Sequence, residues 1–229
     1  MHFHGAFETT ESVFRASKLN AVVMILNLGI GSGPYEQMFA GRDSFEQFLA
    51  GVTRRLATAC RGAKVGRVAL SSWSAGYGAA LRILQHTAGQ QQVDAVLLAD
   101  GLHAALAKRR PRTVRDTSLA PITRFAERAA QGQRLLAITH SQIRTPKYAS
   151  TTETADFLLN SQGLSRQPRG GVGPRPSMQL SSFAHEKGFW VTGYRGNNTG
   201  AHCDHLFALG QTLLPVLENR WNEDRQAGT

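Results

Sequence analysis

Short apolar runs and stretches of helical periodicity take turns along this chain, and that alternation constrains the fold more than any other feature. The runs Ala21–Leu28, Val65–Leu70, Val93–Ala99, Arg134–Thr139 and Phe189–Tyr194 are too short for buried helices and lack the polar alternation of half-solvated strands. Strands that are apolar on both faces need cover on both faces. The pattern therefore predicts an α/β fold, a mainly parallel sheet with helices on both faces in a three-layer sandwich. Candidate helices lie between the runs. One starts near Ser44 with Phe45, Phe48, Leu49, Val52 and Leu56 on one face, and another carries Leu81, Ile83 and Leu84. A third surrounds Ile122, Phe125 and Ala129, and the last runs from about His202 to Trp221 with Leu206, Leu209, Leu213, Leu214 and Leu217 as its buried stripe. Asp43 with Glu46, and Ser150 with Glu153, have the spacing of capping boxes. Ser165 to Ser182, rich in Gly, Pro and Arg, reads as a loop, as does the basic stretch after Asp100-Gly101. No repeat or linker interrupts the pattern, so residues 1–229 read as a single domain.

Composition removes several classes. With 41% hydrophobic and 18% charged residues the chain is not a disordered one, and its 23 glycines have no collagen-like period. Two cysteines, Cys60 and Cys203, cannot make a disulfide framework or a four-thiolate metal site, and Cys60 falls on the buried side of its helix. The longest apolar run is far short of a membrane span, and Met1 to Gly5 has neither the basic nor the apolar part of a secretory leader. A cytoplasmic location is the default expectation. The net charge of +10 raises nucleic-acid binding, but the densest run, Lys108-Arg109-Arg110-Pro111-Arg112, has no interleaved aromatic residue to stack on bases. It reads as a solvated loop, with no nucleic-acid partner expected.

The strongest chemical signal is Ser72-Trp73-Ser74-Ala75-Gly76, set between an apolar run and a helix. A nucleophile on a sharp strand-to-helix turn needs small residues two positions either side, because the backbone folds back tightly there. Ser72 and Gly76 supply them, and the turn would lift the Ser74 hydroxyl above the sheet edge, at the N-terminus of the following helix. With the alternating element order along nearly the whole chain, this motif resembles the α/β-hydrolase family of serine hydrolases. That family usually has Gly where Ser72 stands.

The resemblance implies acyl transfer from a small ester or amide substrate, without a cofactor. Ser74 would be the nucleophile, with the Ala75 amide as one oxyanion donor. His4-Gly5 looks like the dipeptide that opens the family's second oxyanion loop, which makes Ala6 the other donor and Phe7 a pocket wall. Asp100 ends the strand after the elbow helix and is the candidate acid, with Asp156 and Asp204 as more distant competitors. His202 follows the last strand as the candidate base, and His205, one turn later, is the alternative base or support. Gly5, Trp73, His103 and Tyr35 complete the expected pocket.

Two other readings exist at this level. His2, His4, His202 and His205, with Asp100 or Asp204, could hold zinc in a metal-dependent hydrolase, since His2 and His4 have strand spacing and His202 and His205 helical spacing. The chain could also be a non-catalytic scaffold. If His4-Gly5 closes an early strand, that strand has about four residues, whereas the resembled fold sets it inside the sheet after one or two others. A minimal version of the fold and an N-terminally shortened one, which would also lack any signal peptide, both fit that expectation.

Overall fold

The computed structural model describes residues 1–62 and 64–227, and the side chains among them as far as Asn222. Strand β1 is His2–Phe3, followed by helix α1, Phe7–Ala16, strand β2, Ile25–Leu26, and helices α2, Gly33–Met38, and α3, Ser44–Ala59. Strand β3, Val68–Trp73, passes through a single 3-10 turn at Ser74–Gly76 into α4, Tyr77–Gln85. Helix α5, Thr87–Gln92, leads to β4, Val93–Ala99, and a hairpin of β5, Leu106–Arg109, and β6, Arg112–Val114, precedes α6, Asp116–Ala130. Then come β7, Leu135–His140, α7, Thr151–Ser161, β8, Gln167–Gly171, β9, Leu180–Glu186, and β10, Phe189–Tyr194. The chain closes with α8, Thr199–Phe207, α9, Leu209–Thr212, and α10, Leu214–Ala227.

Eight strands form one sheet in the order β2-β1-β3-β4-β7-β10-β9-β8. From β2 to β10 all pairings are parallel, so the C-terminal ends of these strands share one edge. The central strands are buried on both faces, as their unbroken apolar character requires. Val96, Leu98, Leu136 and Ile138 pack with Ile83, Leu84, Ile122, Phe125 and Leu158 in the larger core. On the other face Ala95, Leu97, Ala99, Leu135 and Ala137 meet the stripe Leu206, Leu209, Leu213, Leu214 and Leu217, with Val13 and Phe14 of α1 beside them. Burying a Leu or Phe side chain is worth roughly 1.5–3 kcal/mol relative to exposure, so these two cores hold the layers together. Among the described residues no helix is long and apolar enough to cross a membrane.

Several local expectations are corrected. Of Ala21–Leu28 only Ile25–Leu26 forms a strand, and it is not fully buried: β2 is the sheet edge, β1 offers it two partner residues, and Val22 is 63% exposed. The next strand begins at Val68 rather than Val65 and extends to Trp73, because pairing with β4 and with Met1–Phe3 fixes its register. The segment expected to be a loop between Ser165 and Ser182 contains β8 and the start of β9, and its Pro168 is tolerated because β8 is an edge strand. The basic loop is likewise a hairpin, β5 to β6. Asp43 precedes α3 but makes no capping bond, since its ψ of 5° is far from the extended backbone an N-cap needs. Ser150 and Glu153 do form a capping box. The last helix is broken at Ala208 and Leu213. Cys60 lies at the end of α3 and is exposed, not core.

Candidate functional site

The turn after β3 is strained and closely walled. Ser74 has φ +49°, a left-handed backbone that costs a non-glycine residue on the order of 1–3 kcal/mol. Its neighbours leave it little alternative. A Cβ at Gly76 would collide with the Phe3 carbonyl, and one at Gly101 would lie 2.6 Å from Ser74 N. Ser72 is fully buried, which meets the requirement for a small side chain beneath the turn. The ends of β1, β3 and β4 therefore converge on Ser74.

Asp100, with φ +42°, ends β4 beside that turn and is 2% exposed. Its Oδ1 accepts from Ser141 N at 2.8 Å and Thr151 Oγ1 at 2.7 Å, and its Oδ2 accepts from His202 Nδ1 at 2.7 Å. Burial alone would raise its pKa. The His202 bond, the nearby His205 ring, and the Thr151 and Ser141 hydrogen bonds outweigh burial and hold the carboxyl well below the usual carboxylate range. Asp100 is thus a buried anion with its lone pairs engaged. Donation from Nδ1 sets the His202 tautomer and leaves Nε2 without a hydrogen-bond partner among the described residues, on a ring that is 22% exposed. No hydrogen bond joins that ring to the Ser74 hydroxyl.

Trp73 links the two halves. Its indole N–H donates to the His202 carbonyl at 2.9 Å, and its ring lies between His202, 4.8 Å away, and His4, stacked at 5.3 Å. His4 and Gly5 both have positive φ, which turns the chain sharply after β1 and leaves Ala6, just before α1, exposed at the shared edge. Burial, and then the nearby His202, push the His4 pKa down. Tyr35, expected as a pocket wall, is instead fully buried. Its hydroxyl meets His4 Nδ1 at 2.9 Å and accepts from Leu28 N, bracing the turns after β1 and β2 against each other. Phe7 is 52% exposed. His103, three residues after Asp100, packs edge-on against Tyr77 and Tyr148, 5.7 and 4.9 Å away.

Other expected residues do not join the Asp100–His202 pair. His205 is buried, bonds Thr139 through Nδ1 at 2.8 Å, and has its pKa pushed down to about 4 by burial, so it supports β7 from below. Asp204 is bound to Arg175 and Ser177, and Asp156 to Arg166, which removes both from contention with Asp100. The metal arrangement fails on geometry: His2 Nδ1 meets Ser71 Oγ and its Nε2 meets the His4 carbonyl, each at 2.9 Å. Among the described residues no group of three potential ligands converges. Thr151 and Ser141, which hold Asp100, were not anticipated. The signal for Thr151 was present, because the capping box at Ser150 fixes where α7 begins, but its meeting with Asp100 depends on β7 lying beside β4.

Comparison with known proteins finds no matching family model, curated protein or solved structure. The geometry of the molecule itself carries the functional reading.

Proposed function

We propose that the protein is a serine hydrolase that cleaves a carboxylic ester, or an amide, through an acyl-enzyme. The observation that carries this reading is the buried, charged Asp100 holding His202 by Nδ1 beside the left-handed Ser74 turn. A carboxylate fixed by three donors is suited to orienting an imidazole and stabilising it once protonated.

In the reaction, Ser74 Oγ bonds to the substrate carbonyl carbon while His202 Nε2 takes the hydroxyl proton. The carbonyl oxygen becomes an oxyanion that receives hydrogen bonds from the Ala75 and Ala6 amides. Collapse of this intermediate breaks the bond to the leaving alcohol or amine, which takes the proton from His202. Water then repeats the sequence on the acyl-Ser74 ester and releases the acid. Contact between Ser74 and His202 forms as substrate binds, as catalytic hydrogen bonds often tighten only in the complex. One oxyanion donor is worth about 2.7–4 kcal/mol of transition-state stabilisation.

Turnover of p-nitrophenyl acetate and butyrate tests the proposal. Asp100→Asn is expected to lower kcat by about three to four orders of magnitude and Ser74→Ala to abolish acyl-enzyme turnover. Equal turnover by Ser74→Ala and the unaltered protein would overturn it.

A further inference from the structure

We propose that the sheet edge bearing Ser74 docks on an anionic lipid surface. Of the seven large apolar side chains exposed among the described residues, Leu28, Ile30, Tyr148 and Val172 lie on turns leaving this one edge and Phe7 opens α1 beside them, while Val22 precedes β2 and Phe207 ends α8. Ile30 and Val172 are 97% and 99% exposed, at the tips of the turns after β2 and β8. They stand on opposite sides of Ser74, since β2 and β8 are the two ends of the sheet and β3 lies between them. Burial of exposed apolar tips at the headgroup boundary is the hydrophobic half of such docking.

The electrostatic half is the basic run Lys108-Arg109-Arg110. It forms the β5–β6 hairpin, which rises from the same edge directly after Asp100. Arg112 anchors this hairpin: it binds Glu153 at 2.6 and 2.8 Å and the carbonyls of Thr145 and Tyr148 at 2.9 and 2.8 Å. That clamp holds the loop carrying Arg144 and Lys147 against the hairpin that carries Lys108, Arg109 and Arg110. These five cations are exposed, and none is in an ion pair among the described residues. Acidic residues Glu8, Glu36 and Asp116 also lie near this edge, so cations predominate without excluding acids. Unpaired cations beside exposed apolar tips match a surface that is anionic above and apolar beneath. Docking stands without the hydrolase reading; that the surface also presents the ester to Ser74 rests on it.

Sedimentation with phosphatidylcholine vesicles, with and without phosphatidylglycerol, tests the inference. Binding is expected only with phosphatidylglycerol, weakening as salt rises. Lys108→Gln, Arg109→Gln and Arg110→Gln together should lower the partition by at least about tenfold, and Ile30→Ser should lower it further. Both variants should still turn over soluble p-nitrophenyl acetate, whereas Ser74→Ala should bind vesicles normally and lose turnover, which separates docking from catalysis. Equal binding to both vesicle types, no binding to either, or binding to single-stranded RNA with vesicles left free would overturn it.

Discussion

A methyl group at Gly101 would reach 2.6 Å from the Ser74 amide nitrogen, so the positive φ at Ser74 is held partly by what its neighbour lacks. Gly101→Ala is expected to cost about 2 kcal/mol or more, read as a lower urea midpoint with unchanged slope, and to slow any reaction at Ser74. At this scale much of the site was legible. Ser74, Asp100 and His202 each sit where an apolar run gives way to a turn or helix, and the structure brings Asp100 and His202 into contact. The choice of His202 over His205 was not decidable from spacing, since both follow the last strand. It depends on which ring reaches Asp100 across the sheet edge and which is buried against Thr139. Strand spacing would put the His2 and His4 rings on one face, as the metal alternative requires, only along an extended backbone, and His4 has φ +70°.

Elements buried on both faces were the most legible. Val93–Ala99 and Phe189–Tyr194 coincide with β4 and β10, because residues of a strand paired on both sides and covered on both faces must be acceptable to a core. The edge strand β8 was read as a loop and β2 was expected to be longer and buried, because pairing from one side only, rather than their own composition, sets where these edge strands form. Helix α7 has its start written locally. Ser150 Oγ and the Glu153 backbone N–H bond, Glu153 returns to Ser150 N at 2.8 Å, and Arg112 draws the Glu153 pKa down to about 2. Because Thr151, the first residue of α7, also holds Asp100, this cap ties local sequence to the site. Ser150→Ala is expected to cost about 1 kcal/mol and to lower the thermal midpoint by a few degrees. An unchanged midpoint would mean that packing alone fixes the start of α7.

Across the whole molecule, acid is the expected weakness. His205 is neutral when folded, with its pKa near 4 against 6.5 when unfolded, so unfolding takes up a proton between those values. Stability should therefore fall as pH drops from about 6.5 to 4, by about 3 kcal/mol from this group, and His2, pushed by burial to about 3, acts in the same direction. Below about 4, protonation of Asp100 in the unfolded chain removes stability again, since its folded pKa is depressed. Urea midpoints measured from pH 7 to 4 should decline, and His205→Gln should flatten the decline. The central claim, that this fold positions an activated serine, is tested most directly by intact-mass analysis after exposure to a fluorophosphonate. One phosphonyl adduct on the Ser74 peptide is expected, absent in Ser74→Ala and much slower in Asp100→Asn. A folded protein that forms no adduct, or forms one equally in Ser74→Ala, would contradict the account.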